Sequence, residues 1–254
     1  VEEDGEDTKA QEQIKSIPAM IDTPFELLSA AYDSAPHLLQ GSGRGYVVVL
    51  ADGEQPTHDV PLRLLQDAPF VVCCDGAIRH CDRADAVVGD GDSIPMQYRK
   101  EYATIFHQVD EQEDNDLTKA TRYCLSKGFR RIVYLGATGR REDHALGNIS
   151  LMVRYAAEMG VEPLLATNYG WFVPVCHPQN GAERQLFTRS FSSFHRQQVS
   201  LFNFGCTHLH TEGLCYDGYA YRSWWQGTLN EAAADHFSIM ADGDYLVFRT
   251  YEAK

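Results

Sequence analysis

Short apolar runs closed by Gly and Asp dominate residues 46–166. Tyr46–Ala51, Pro69–Cys74, Ala84–Val88, Arg131–Leu135 and Val161–Ala166 are strand-length and mostly β-branched. The first four stop at Asp52-Gly53, Asp75-Gly76, Gly89-Asp90 and Gly136-Ala137-Thr138-Gly139. Leu117–Lys127 and Ala145–Met159 read as helices, ended by Gly128 and Gly160. Strands alternating with helices predict a doubly wound, mostly parallel, Rossmann-like α/β sheet. Its polar loops would gather at the edge where such sheets bind ligands. Beyond about residue 168 the helical period fades. Aromatic and β-type clusters follow at Trp171–Val173, Phe191–Phe194, Val199–Phe204, Tyr219–Tyr221, His236–Met240 and Tyr245–Phe248, with turns at Asn180-Gly181, Asp217-Gly218 and Asp242-Gly243. This pattern predicts an antiparallel β-sandwich or barrel-like domain. The chain thus divides into an N-terminal extension (1–40), an α/β domain (41–167) and a β-sandwich domain (168–254). Within the extension the first 20 residues are polar and acidic and expected to fray. Residues 21–39 suit a short helix, with Thr23 as N-cap and Pro24 in its first turn.

Composition narrows the partners. A chain of 254 residues, 44% hydrophobic, can bury a large core. Its formal charge of −14 argues against a nucleic-acid backbone, which needs clustered Lys and Arg. A nucleotide remains open, because carboxylate-held Mg²⁺ supplies local compensation. The apolar runs are far short of a membrane span, and no basic-then-apolar leader opens the sequence, so a cytoplasmic location is the expectation. Seven cysteines without a CxxC pair read as reduced thiols. Cys206-x-His208-x-His210 would share one strand face. With no fourth ligand, a packed or solvent-facing strand is the better reading than a metal site.

Asp90 and Asp92, separated by Gly91, can bend toward one ion, but alone they read as a Gly/Asp turn. Asp75, closing another strand, and the run Glu111-Gln112-Glu113-Asp114-Asn115-Asp116 before a helix bring further acids to the same edge. Asp114 or Asn115 can be a helix cap and nothing more. Carboxylates crowded together are costly unless a cation sits among them. Gly136–Gly139 lies between strand and helix, where backbone N–H groups can meet phosphates, and Arg141 can form a bidentate contact with one. His144 is either a general base or, more commonly, a helix-start residue, with Asp143 as its partner or an N-cap.

In order, these motifs resemble the thiamine pyrophosphokinase family. Cys74-Asp75-Gly76-Ala77-Ile78-Arg79, Gly89-Asp90-Gly91-Asp92-Ser93, Glu111–Asp116 and Gly139-Arg140-Arg141-Glu142-Asp143-His144 match its Asp-Gly-Gly-Ala-Asn, Gly-Asp-Phe-Asp-Ser, Asp-Gln-Asp-x-Thr-Asp and Gly-Gly-Arg-x-Asp-His patterns. Arg79 stands where the family has Asn, Arg140 where it has a second Gly, and Leu229 where it has Ser. The resemblance implies transfer of pyrophosphate from ATP to the thiamine hydroxyl, with Mg²⁺, in a homodimer whose cleft between subunits holds thiamine. It implies metal ligation by Asp75, Asp90 and Asp92, and catalytic roles for Asp90, Asp92 and Asp116. ATP would be bound by Asp75, Gly76, Gly136, Thr138, Gly139, Arg141, Asp143 and His144, and thiamine by Gln112, Asp116, Asn230 and Trp225. Trp224 and Trp225 can stack on the cationic rings of thiamine, and read at least as well as core or dimer contacts. A Mg²⁺-dependent nucleotide phosphohydrolase and a non-catalytic thiamine or nucleotide sensor are the rival readings.

Overall fold

A computed structural model describes residues 45–94, 96–177 and 184–253. The expected helix within 21–39 and the Asn180-Gly181 turn lie outside them. Strand β1 (Val47–Leu50) is buried at every position, as a strand covered on both faces must be. Beside it lie β2 (Val71–Cys74), β3 (Ala86–Gly89), β4 (Phe106–Gln108), β5 (Arg131–Leu135) and β6 (Glu162–Ala166), all parallel. Across the sheet these six run β6-β5-β1-β2-β3-β4, so strand order reverses between β1 and β5. The apolar face of α1 (Asp59–Gln66) packs on one side of the sheet, through Val60 and Leu64, and Tyr98 of α2 (Met96–Glu101) joins the same cluster. On the opposite side, α3 (Asp116–Ser126) brings Leu117, Ala120 and Cys124, and α4 (Glu142–Met159) brings Met152, Val153 and Tyr155. Helices leaving β1 and β5 on opposite faces open a crevice at the reversal, the usual ligand position in such sheets.

The same sheet continues into the C-terminal half. After Thr167–Tyr169 the chain turns back as β7 (Gly170–Val175), which pairs antiparallel with β6. Next to it come β13 (Tyr245–Ala253), β9 (Gln197–Asn203) and the two-residue β11 (Asn230–Glu231), making ten strands. A second sheet of β10 (Leu209–Glu212), β12 (His236–Ala241) and β8 (Phe187–Ser192) covers its antiparallel end. Alternation along β13 decides what goes where. Tyr245 and Val247 meet Phe191, Phe237 and Ile239 between the sheets, while Leu246 and Phe248 join the cluster beneath α4. Buried Arg249, on the face of Tyr245 and Val247, stacks on Trp171 and Phe191 and donates to the Ser192 carbonyl at 3.0 Å, tying one sheet to the other. The architecture is the mostly parallel α/β sheet with an antiparallel sandwich that the sequence predicts.

Two expectations need correction. Tyr219–Tyr221 is not a strand; its apolar content serves to bury Tyr221 against the sandwich core. Cys206 and His208 precede β10 rather than lying on it. The Cys206 thiol donates to the Asp244 carbonyl at 3.3 Å, and His208 Nδ1 lies 3.1 Å from Asp242. All seven cysteines are free thiols. Among the described residues no helix is long and apolar enough to cross a membrane.

Candidate functional site

Each acid of the predicted set sits where a parallel strand or helix ends at one edge. Asp75 opens a 3-10 turn, Asp75–His80, straight out of β2. It is 2% exposed, with φ +26. One carboxylate oxygen accepts the Ser93 N–H at 2.8 Å; the other, Oδ1, is buried without a hydrogen bond. Gly89 has to be glycine for this packing, because a Cβ there would lie 2.7 Å from that of Asp75. Past β3, the carboxylate of Asp90 accepts the Asp92 N–H at 3.0 Å, and the Gln112 amide approaches it at 3.4 Å. Asp92 itself is exposed. Asn115 caps α3 by accepting the Thr118 N–H at 3.0 Å, which makes Asp116 the first helical residue.

The acids feel one another. Burial pushes the Asp75 carboxyl above the usual range against the pull of the Ser93 N–H, and Asp116 and Asp90 push it further up. Burial likewise raises Asp116, where Lys119 pulls down and Asp90 pushes up. Asp90 is held below the usual range, first by the Asp92 N–H. Lys119, 4% exposed and 3.5 Å from Asp116, is drawn in among them by an i,i+3 pair.

Across the crevice, Gly136 leaves β5 with φ +62, and an added Cβ would lie 2.4 Å from the Ala51 carbonyl. The carbonyls of Gly136 and Thr138 accept the N–H groups of Gly53 and Glu54, both at 2.7 Å, so the loops after β1 and β5 are laced together. Asn148 of α4 donates to the Ala137 carbonyl at 2.8 Å and accepts from Asn115 at 3.0 Å, joining this loop to the acidic one. Arg141 and Asp143 are exposed and paired at 2.6 Å; Arg141, not Asp143, occupies the N-cap position of α4. His144 is exposed in the first turn.

The structure therefore brings together Asp75, Gly76, Asp90, Asp92, Gln112 and Asp116, with Gly136, Thr138, Gly139, Arg141, Asp143 and His144 on the neighbouring loop. Asn230 and Trp225 are elsewhere. Eight strand steps separate β11 from β3, roughly 40 Å of sheet. Asn230 is buried and clamps Tyr216, accepting its N–H at 3.1 Å and donating to its carbonyl at 2.8 Å. Leu229 before it is left-handed, φ +64, and 70% exposed. Trp225 is 75% exposed, whereas Trp224 packs on Phe202 and Phe204.

Sequence reasoning passed over Lys119 and Asp52. The signal for Asp52 was present, since it follows β1 as Asp75 follows β2 and Asp90 follows β3. Asp114, by contrast, is spent on Arg122 at 2.5 Å and Arg154 at 3.4 Å.

Among the described residues no three His, Cys, Asp or Glu side chains already converge on one point. A hard cation that retains waters and takes one or two carboxylates plus a ligand's phosphates needs no such cage. The unpartnered Oδ1 of Asp75, and the mutual repulsion of Asp75, Asp90 and Asp116, are what one such cation would relieve.

Known proteins share both halves of this arrangement. Residues 62–162 match the family described as thiamin pyrophosphokinase, catalytic domain, and residues 170–248 its substrate-binding domain. A thiamin pyrophosphokinase of Caenorhabditis elegans is 30% identical over 105 residues, covering 36% of this chain and 43% of that protein. One of Oryza sativa subsp. japonica is 28% identical over 162 residues, covering 52% and 60%. The chain thus spans about half the length of these relatives. The yeast thiamin pyrophosphokinase structure superposes with a TM-score of 0.67 at 13% identity, covering 88% of this chain and 90% of that one. That of Bacillus subtilis gives 0.63 at 18%, covering 81% and 98%. With the two family matches falling in order on the two halves of the fold, this chain belongs to the thiamine pyrophosphokinase family.

Proposed function

We propose that this protein transfers the β,γ-pyrophosphoryl group of ATP to the hydroxyl of thiamine, giving thiamine diphosphate and AMP. The observation that carries the reading is the coupled carboxylate set Asp75, Asp90 and Asp116 at one sheet edge, with a buried Asp75 oxygen left unpartnered. Asp75, Asp90 and Asp92 would hold Mg²⁺, which would neutralise polyphosphate charge. The acceptor oxygen bonds to the β-phosphorus as the bridge to the α-phosphate breaks, and AMP leaves. Asp116 stands nearest the acceptor hydroxyl, oriented by Lys119. Gln112, already against Asp90, steadies the vitamin's approach. The loop 136–139 and Arg141 bind the nucleotide.

Thiamine must be shared between two copies of the chain. Exposed Trp225 suits stacking on its cationic rings, yet roughly 40 Å of sheet separates that end from Asp90. A homodimer that lays the sandwich of one copy against the acidic edge of the other resolves the separation. A cytoplasmic setting agrees with seven unpaired thiols. The test is incubation of the purified protein with ATP, Mg²⁺ and thiamine. AMP and thiamine diphosphate forming together, and only with thiamine present, support the assignment. Phosphate release without thiamine would make it a phosphohydrolase, and binding without turnover a sensor.

A further inference from the structure

Asp52 lies just past β1, at the reversal of strand order, and three basic side chains from two other loops converge on it. Arg79 Nη2 donates to it at 2.6 Å and Arg140 Nη1 at 3.1 Å, while His80 Nε2 lies at 3.1 Å. One carboxylate thus faces two guanidiniums and an imidazole in a chain whose net charge is −14. All four side chains remain accessible, from 28% exposed at His80 to 52% at Arg140. Arg79 and Arg140 are also the two positions where this sequence departs from the Asn and Gly of the family pattern. Residues that differ separately in sequence meet on one carboxylate in space. Arg140 keeps a left-handed φ of +66, a conformation that disfavours any side chain, so its retention there asks for a compensating role.

The basic group adjoins the acidic one across Gly76. A Cβ on Gly76 would lie 2.7 Å from Arg79 Nη2 and 3.3 Å from Ser93 Cβ, the neighbour of Asp92. Cations on one side and cation-holding carboxylates on the other make a surface suited to an extended polyanion.

We propose that Arg79 and Arg140, held in place by Asp52 and flanked by His80, grip the triphosphate of the donor nucleotide beside the carboxylates. The identity of the ligand as donor rests on the function proposed above. Arg79 also donates through Nε to the Gly76 carbonyl at 2.9 Å, which fixes the plane of its guanidinium. Asp52 orients the two guanidiniums without neutralising both, so a net positive charge faces the crevice.

Calorimetry with α,β-methylene-ATP, which cannot yield its pyrophosphoryl group, reads this without turnover. Arg79→Asn and Arg140→Gly should each weaken binding about tenfold, and the pair more, as expected for a lost charge-assisted contact to phosphate. KM for ATP should rise in step while KM for thiamine stays within about twofold. Binding should weaken with salt less steeply in the double variant than in the parent. Arg79→Lys and Arg140→Lys keep the charge and should recover most of the affinity. Wild-type analogue affinity in variants that melt normally would overturn the proposal, as would lysine variants no better than the neutral ones, because the cluster would then only fasten loops. If no thiamine diphosphate forms but the arginines still govern analogue binding, the activity assignment fails and the grip stands.

Discussion

It is the backbone N–H of Asp92, not its exposed carboxylate, that holds Asp90. Asp92→Asn should therefore leave the melting temperature within about a degree, since surface changes rarely exceed ±0.5 kcal/mol. Turnover should fall at least ~100-fold, the scale of losing a preorganised charge stabiliser. Retained turnover in steady-state assays would remove Asp92 from the site. Asp75 and Asp116 make a different prediction. Both hold protons more tightly in the folded chain than in the unfolded one, so their contribution to stability is whole below about pH 3.9 and is lost as pH rises through their raised values. Mg²⁺ bound as proposed would offset that loss, because it needs the ionised forms. In thermal melts Mg²⁺ at a hundred times its pH 7.5 Kd should therefore stabilise by roughly 2.7 kcal/mol at pH 7.5, and by less at pH 5. Equal shifts at the two pH values would argue against carboxylate ligation.

Among elements, β1, β2, β3, β5 and β6 were legible because buried parallel strands are continuous β-branched runs, and α3 and α4 because they are long and end at glycines. The short elements were not. β4 has three residues and α2 six, too few to show a period. In α1 the N-cap is His58 and Pro61 lies in the first turn, where the missing N–H costs nothing, so neither signal is the usual one. The acids of the site were legible through their position after strands, but their mutual coupling was not, because it depends on burial and on Lys119 from the next turn of α3. The loop after β5 offers a test at this scale. Gly136→Ala would place a methyl 2.4 Å from the Ala51 carbonyl at φ +62. Denaturant unfolding should show a loss of about 2–4 kcal/mol, because backbone on both sides must shift. A loss below about 1 kcal/mol would mean that the lacing of the β1 and β5 loops is soft.

For the whole molecule, local pattern could not reveal that one sheet runs from β4 to β11, since that depends on β6 pairing with β7 and β13 entering between β7 and β9. This continuity sets acids and Trp225 far apart in one chain and motivates the shared site. Mixing tests it. Asp92→Asn and Trp225→Ala chains, each weak alone, should on co-refolding recover about a quarter of wild-type activity: half the dimers are mixed, and each mixed dimer has one intact site of two. No recovery in mixtures shown to exchange subunits would confine each site to a single chain.

The position of β13 also governs how the molecule is made. Strands β7 and β9 are joined only through β13, which pairs with both and follows every other described strand in sequence. About 70 residues separate the end of β7 from the start of β13, several seconds of translation at typical rates. Throughout that interval β7 offers an unpaired edge, and so does β9 once it has been made, the kind of template on which nascent chains stick to one another. The parallel sheet can form first and shelter one flank of β7 through β6. The sandwich is sealed only by the segment that carries Tyr245, Val247 and Arg249, which makes the emergence of that segment the moment at which the newborn chain is safest to release.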